Sequence, residues 1–591
     1  MSVDLRRTVG AAFMDRAAAH PDEIALTIYR GSAETEHPGL SYGELARRAG
    51  LRAEHLASRL APGERVIISL PTGTEFVELY LACMLAGLVA VPAPPLGGSS
   101  VAAERVAVIV GDCTPGLVFA TARDREAIGE RLGAHGLAHV PVEEPGDAGT
   151  GDLPDASGLR LGLRSDALAV LQYSSGSTGS PKGVLLDHGN VLANVLSLHV
   201  NGGIGRPGDS FGTWMPLHHD FGLFAQLTVA LLYGSHTVLM SPSEFVKRPV
   251  EWFRLMTRFR TSVTAAPNFA FDLCLRLVQD HHLDGLDLSN LQRLINGSEP
   301  IHVPTAAAFA KRFAVTGLRP EVFTPGYGMA ESVVYVSSNP RGEAATVVVV
   351  DPRDVESAER PRLTRTTGGE GKEIVGVGTP GAHEVRIVDP ATRRALPDGE
   401  IGELWLRGDS IGRGYWNQPA LSEEIFRARL DGEPAEAPGW LRTGDLAALC
   451  GGELFITGRL KEMVKVRGRN LFPHDLEQQA RQAHPALAAF VGAAFGVAAP
   501  DERVVLIHEV DPRTPEQDLP AVAADVVRHL TTVFGVPVRN VLLVRRGTVR
   551  RTTSGKIQRQ AIREQFLAGR VPLLHSRLDP DVRRLLPVDA Q

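Results

Sequence analysis

Short apolar runs recur through the first half of the chain, each separated from the next by a helix-length segment of mixed polarity. Val66 to Leu70, Gly87 to Val91, Leu117 to Ala120 and Ala167 to Tyr173 are almost wholly apolar, which predicts strands buried on both faces of a sheet. The same texture continues in Thr237 to Met240, Ser262 to Ala265 and Leu291 to Ile295, so a second sheet of similar build is expected to follow the first. The longest apolar stretch, Leu79 to Pro94, is interrupted by Gly87 and Pro92; it predicts a buried helix and strand and is too short for a bilayer span.

From about residue 373 the pattern changes to paired runs around turns: His383 to Val388, a turn at Asp389 to Thr392, then Glu400 to Leu406 after Pro397, Asp398 and Gly399. That texture predicts a β-rich unit. Further on, candidate strands at 489–493, 504–508 and 541–544 surround a candidate helix near 520–533, which predicts a separate small α+β domain. The expected organisation is therefore α/β: a large domain over 1–458 with two layered α/β subdomains and a β-rich subdomain, followed by a small α+β domain over 462–591. Between 341 and 372 a strand-like run, Thr346 to Val350, leads into a charged stretch that by composition alone reads as a solvated excursion.

With 591 residues and 43% hydrophobic content, the chain can bury more than one large core. A net charge of -6 without a dominating basic stretch gives no electrostatic footprint for nucleic acid. Cys83, Cys113, Cys274 and Cys450 are scattered, with no C-x-x-C pair, and suggest reduced thiols rather than a disulfide framework or zinc ribbon. The N-terminal segment lacks the apolar core of a secretory signal, so a cytoplasmic protein without stable membrane insertion is expected.

The richest chemistry follows the run ending at Tyr173. Ser174, Ser175, Gly176, Ser177, Thr178, Gly179, Ser180, Pro181, Lys182 and Gly183 combine glycines that let backbone N–H groups converge with hydroxyls and an ammonium that add donors around one anion. This predicts a triphosphate loop. It is not a Walker loop, because the G-x-x-x-x-G-K-[ST] spacing is absent. His218, His219 and Asp220 invite a metal reading, but adjacent histidines diverge and no further ligands stand at zinc-like spacing.

Other segments follow in order: Trp214 to Gly222, Asn296 to Pro300, Gly326 to Glu331, Arg442 to Asp445, Gly458 to Lys461, Arg467 to Asn470 and Thr553 to Lys556. This ordered set resembles the adenylate-forming superfamily of acyl-CoA synthetases, nonribosomal peptide adenylation domains and luciferases. Ala266 to Cys274 and Gly468 to Glu477 look most like its fatty acyl-AMP ligase branch, and the resemblance spans nearly the whole chain.

The resemblance implies ATP and Mg2+ as cofactors, a fatty acid as substrate, and acyl transfer to the phosphopantetheine thiol of a carrier protein acting in trans. Leu96 to Ser100 superficially resembles a phosphopantetheine site, but it lies inside the first α/β unit. Lys556, in a flexible loop, is the expected catalytic cation, with His219 beside the acyl carboxylate and Glu331 as the magnesium carboxylate, joined by the Thr178 hydroxyl. Nucleotide contacts are expected from Ser174 to Gly179 and Lys182, from Asn296, Gly297, Ser298 and Glu299, and from Tyr327, Gly328 and Met329. Tyr327 offers a flat face for adenine, and glycines 326 and 328 would permit close backbone approach. Asp445 has two oxygens for the ribose hydroxyls, and Arg459 resembles the second ribose and phosphate contact. The apolar segments Phe221 to Leu227 and Pro267 to Phe271 are expected to wall the acyl pocket. The resemblance also implies that the small domain is mobile about a hinge at 459–461, and the insertion over 341–372 resembles one that limits the domain rotation needed for CoA use. An acyl-CoA synthetase would share every ATP segment, an amino acid adenylating enzyme could use Asp220 against an amino group, and a noncatalytic nucleotide-binding protein of the same fold is a further alternative.

Overall fold

The computed structural model describes residues 4–32, 36–149, 151–154, 159–174, 181–366, 371–552 and 555–587. A six-stranded sheet forms first, in the order Val142–Glu143, Leu117–Ala120, Arg65–Ser69, Val89–Pro92, Leu168–Ser174 and Lys182–Asp187, parallel except at the last pair. Strand alternation divides its residues between two layers. Val66 and Ile68 enter the main core, whereas Ile67 joins Val89, Val91, Val118 and Leu171 on the opposite face. The helix Thr74–Ala86 is buried all round, and its one buried carboxylate, Glu78, accepts from Arg52 Nε at 2.7 Å.

The second sheet has eight strands, in the order Ser337–Ser338, Phe323–Tyr327, Arg293–Asn296, Val263–Ala266, Ser210–Thr213, His236–Met240, Ile24–Tyr29 and Gly39–Ser41. It does not simply follow the first sheet. Ile24–Tyr29, from near the N-terminus, pairs in parallel with His236–Met240, and Gly39–Ser41 closes that edge. The helix Tyr42–Ala57, capped by Ser41 Oγ accepting from Glu44 N at 3.2 Å, carries the chain from this sheet to the first.

The β-rich unit is a four-stranded antiparallel sheet of Glu384–Val388, Gly402–Arg407, Leu441–Cys450 and Glu453–Arg459. In the C-terminal region, Gly492–Ala499, Asp501–Glu509, Asn540–Val544 and Leu573–Arg577 form a four-stranded sheet. Pro473–Ala483 and Leu519–Phe534 cover one face through Leu476, Val526 and Leu530; Arg559–Leu567 covers the other through Ile562 and Phe566. The strand Leu573–Arg577 escaped the sequence reading because its alternate positions are Leu, His and Arg rather than an apolar run.

The charged segment after Val350 is exposed over much of its length but anchored at Val355 and Glu356, which are buried. Val347–Val350 pairs antiparallel with Lys372–Val375, and Val348, Val350, Val355 and Ile374 share a core with Phe455 of the β-rich sheet and Phe472 beyond the expected hinge. Its polar groups face the same way: Asn470 N donates to Glu356 O at 2.7 Å, Asn470 Nδ2 to Ser357 O at 2.8 Å, and Arg469 pairs with Glu356. Among the described residues no helix is long and apolar enough to cross a membrane.

Candidate active site

A cleft of about 2520 Å3 separates the large domain from the C-terminal one and is lined by both. On its β-rich wall, antiparallel pairing sets Asp445 directly opposite Arg459. Asp445 Oδ1 accepts from Arg459 Nε at 2.9 Å, Oδ2 accepts from the Tyr327 hydroxyl at 2.7 Å, and its N–H donates to Thr443 Oγ1 at 3.0 Å. The carboxylate holds the Arg459 guanidinium above its ordinary range, and burial together with Asp445 pushes the Tyr327 phenol well up. Asp445 is thus a fixed anion at the centre of a network with Arg459, Tyr327 and Thr443.

Tyr327 ends the strand Phe323–Tyr327, and the chain then folds tightly back on itself. A Cβ on Gly328 would lie 1.6 Å from Val334 O, so only glycine fits. At Gly326 the nearest protein atom to the Cβ position is 3.5 Å away, so the surrounding protein does not itself require glycine there. Ser298 adopts a left-handed φ of 74° beside Gly297, whose Cβ would lie 2.9 Å from Gly326 O. Gly297, Ser298, Glu299, Tyr327, Gly328 and Met329 all line the cleft; Asn296 does not. Its side chain is fully buried behind the wall, with Oδ1 lacking a partner and Nδ2 3.4 Å from Asn268 Oδ1.

Glu331 stands on the next turn, where Oε1 accepts from the Tyr415 hydroxyl at 2.7 Å. The Lys182 ammonium lies 5.3 Å from the centre of the Tyr415 ring, and burial followed by the neighbouring Lys461 charge lowers its pKa. Lys182 begins the return strand of the hairpin whose connection carries the expected phosphate loop. Ser175, Gly176, Ser177, Thr178 and Gly179, with the side chain of Ser174, lie outside the described residues. Sequence reasoning missed Tyr415: nothing in the run Gly412 to Trp416 distinguishes a site tyrosine from a packed one.

His219 and Asp220 open a short helical turn in which His219 Nδ1 lies 2.5 Å from Asp220 Oδ1, and Asp220 Oδ1 accepts from Phe221 N at 2.7 Å. Asp220 is held below the usual carboxylate range against burial by His219 and by the more distant Lys556. His218 is half-buried, and desolvation, with the neighbouring His219, pushes it down to about 3.

Lys556 enters from the C-terminal domain on a hairpin closed by a bridge between Arg551 and Ile557. Its N–H donates to Thr552 Oγ1 at 3.1 Å, and Gly555, at φ 87°, sits so close to the Phe269 ring that a Cβ would meet it at 2.3 Å. The ammonium stands within electrostatic reach of Arg459, Asp220, Glu299 and Asp445; burial and Arg459 lower its pKa while the three carboxylates oppose this. Glu299, partly buried and accepting from Phe269 N at 2.5 Å, is pushed up to about 7 by burial. Of the apolar segments expected to wall the acyl pocket, Phe221, Ala225 and Phe269 line the cleft, whereas Leu223, Phe224, Leu227 and Phe271 are turned into the core.

Residues 13–416 match the family described as AMP-binding enzyme, and residues 461–576 match the AMP domain of Disco-interacting protein 2-like proteins. The long-chain-fatty-acid–AMP ligase FadD26 of Mycobacterium bovis is 35% identical over 578 residues, which cover 95% of this chain and 97% of that one. A structure from work on fatty acyl-adenylate ligases of E. coli and L. pneumophila superposes with a TM-score of 0.84 at 27% identity, over 95% of this chain and 97% of the other. The L. pneumophila fatty acyl-adenylate ligase in complex with acyl adenylate and pyrophosphate gives 0.73 at 26% identity, over 96% and 97%. The sheets, the cleft and these likenesses agree: the chain belongs to the AMP-binding family of adenylate-forming enzymes, in its fatty acyl-AMP ligase branch.

Proposed function

We propose that the protein activates a fatty acid with ATP and passes the acyl group to the phosphopantetheine thiol of a carrier protein. The observation that carries this reading is the convergence of Lys556 with Asp220, Glu299 and Asp445 across the cleft, which supports a cation held where two anions must meet. A carboxylate oxygen attacks the α-phosphorus, its bond to the oxygen bridging to the β-phosphate breaks, and pyrophosphate leaves. Lys556 offsets the charge that builds between carboxylate and α-phosphate. Asp445 accepts from the ribose hydroxyls, Tyr327 lies against the adenine, and Arg459 and Lys182 hold phosphate oxygens, with Ser174 to Gly179 as further donors. His219, fixed by Asp220, borders the acyl carboxylate.

Glu331 fits a magnesium role, with Thr178 as its expected second oxygen. A hard dication that bridges phosphates asks for one oriented carboxylate and keeps several waters, and Tyr415 orients that carboxylate at the cleft wall. Among the described residues no cluster of three or more His, Cys, Asp or Glu could enclose a metal, so an ion here would be shared with substrate. When bound, it would neutralise charge on the departing phosphates.

In the second half-reaction the thiol sulfur bonds to the acyl carbon, the acyl–phosphate bond breaks, AMP leaves and the thiol proton is released. This requires Lys556 to withdraw, and the expected hinge at 459–461 lies between the β-rich wall and the C-terminal domain, with Leu460 N donating to Gly444 O at 2.9 Å. A carrier partner is supported by charge: no Asp or Glu occurs between Asp525 and Glu564, while Arg545, Arg546, Arg550 and Arg551 flank the Lys556 hairpin. The insertion supports carrier over CoA because it bonds the C-terminal domain in the adenylating arrangement. The test is pyrophosphate release over acids of graded length, then product analysis with CoA or a phosphopantetheinylated carrier. Carrier acylation well above CoA acylation is expected; equal rates would replace this reading with an acyl-CoA synthetase.

A further inference from the structure

The cleft also runs inward along the strand Arg293–Asn296, away from the residues proposed to hold the nucleotide. Along the strand Arg293–Asn296, alternation puts Arg293, Ile295 and Gly297 on the cleft side. Four residues of extended chain span about 13 Å, so Arg293 lies that far inward from Gly297. Between them the walls are apolar: Leu198, Ile204, Phe221, Ala225, Ile295 and Val334.

The inner end is not. Arg293 is 1% exposed, and only Nη2 is bonded, to Ser338 Oγ at 2.9 Å; Nε and Nη1 are buried without a protein partner. The Tyr335 hydroxyl lies 3.3 Å from the same Ser338 oxygen, so it adds a second polar group at this end. The nearest carboxylate is already committed. Asp209 pairs with Arg341 at 2.9 and 3.0 Å and also accepts from Ser262 Oγ and Arg206 N, each at 2.9 Å. Arg293, Arg341 and Arg206 therefore face one spoken-for acid, and the pocket ends in uncompensated positive charge.

A buried guanidinium with idle N–H groups is costly, and a methyl terminus arriving there would leave the cost in place. We infer that the acyl pocket selects acids whose distal end carries an oxygen acceptor (hydroxyl, carbonyl or carboxylate) that completes Arg293. This rests on the reading of the protein as a fatty-acid-activating enzyme and names the class of acid. Arg293 is then a specificity-determining residue that touches the far end of the substrate and takes no part in the chemistry. Sites built to hydrogen-bond a substrate group discriminate strongly against analogues that lack it, whereas purely apolar pockets do not.

The experiment compares kcat/KM for pyrophosphate release with acids matched in length, from about eight to fourteen carbons to bracket the 13 Å arm. Each length is offered with a methyl, hydroxyl or carboxylate terminus. At the length that reaches Arg293, the oxygenated acid should win by roughly 10- to 100-fold, and the advantage should fade in shorter acids. Arg293→Met should abolish the preference and improve the methyl-terminated acid. Equal or better use of methyl-terminated acids at every length by the intact enzyme overturns the inference and needs no variant to fold. If no acid of either kind releases pyrophosphate, the proposed function fails and this inference fails with it.

Discussion

The C-terminal domain meets the rest of the chain at two places that are built in opposite ways. Over the cleft, contact is made by a narrow hairpin: Gly555 rests on the Phe269 ring, and no described side chain accepts a hydrogen bond from Lys556 Nζ. Behind the cleft, the insertion is bonded and packed. Backbone hydrogen bonds join Asn470 to Glu356 and Ala358 to Gly468, Lys372 pairs with Asp475, and Phe472 shares a core with Val348 and Val350. On the proposed rotation the first contact would give up one small packing contact and the field around Lys556, whereas the second would have to be dismantled. Breaking one partner of a buried ion pair typically costs about 3–5 kcal/mol. The insertion contact holds two ion pairs, Glu356 with Arg469 and Lys372 with Asp475, in which only Glu356 is buried, so each is expected to cost less than that.

Removing the cation should have the largest effect. Lys556→Ala is expected to lower acyl-AMP formation by roughly 10^2- to 10^3-fold with ATP affinity nearly intact, because the charge it meets develops only in the transition state. Single-turnover measurement checks this, and retention of more than about a third of the rate would remove Lys556 from the chemistry. The opposite intervention loosens the rear contact. Glu356→Ala leaves Arg469 without its carboxylate and should raise acyl-CoA formation by about tenfold, while acyl-AMP formation changes little, since relieving bias makes a minor state competent. Unchanged acyl-CoA output would mean that the insertion does not restrain rotation.

The smallest effect concerns pH at the cleft contact. Burial pushes Glu299 from 4.5 up to about 7, so the folded protein binds that proton more tightly than the unfolded chain. Stability from this group is present below about pH 4.5 and is lost as pH rises toward 7. Glu299→Gln, which can still accept from Phe269 N, should flatten the fall in Tm between pH 5 and 8. A slope identical to that of the parent would assign the titration to another group.

The same contrast explains what was legible in the sequence. Lys556 and Asp445 stand out only through the ordered set of motifs: alone, a lysine in a polar loop reads as solvated and Arg442 to Asp445 as a tight turn, whereas the strand Leu441–Cys450 runs through that segment. The insertion resisted, since composition counts charges without revealing which are paired: Asp351 to Arg365 reads as solvated, yet Glu356 is buried against Arg469. Arg293 is the reverse case, a single cation inside an apolar run whose burial only the neighbouring strands determine. Asn296, expected in the nucleotide pocket by resemblance, does not line the cleft because one-residue alternation turns its side chain away, and that parity is fixed by register rather than by residue type. The two-sheet core was visible as apolar runs, but the exchange of the strand Ile24–Tyr29 into the second sheet was not, because pairing over such a separation leaves no local signal.

That exchanged strand has a consequence during synthesis. Its partner, His236–Met240, is made about 210 residues later, which at roughly 5–20 residues per second means a wait of some 10–40 s. For most of that interval the run from Ala25 to Tyr29 has only the short strand Gly39–Ser41 to pair with. The order of manufacture and the order of assembly therefore differ, and the burden of the delay falls on whatever keeps nascent apolar segments from associating with one another.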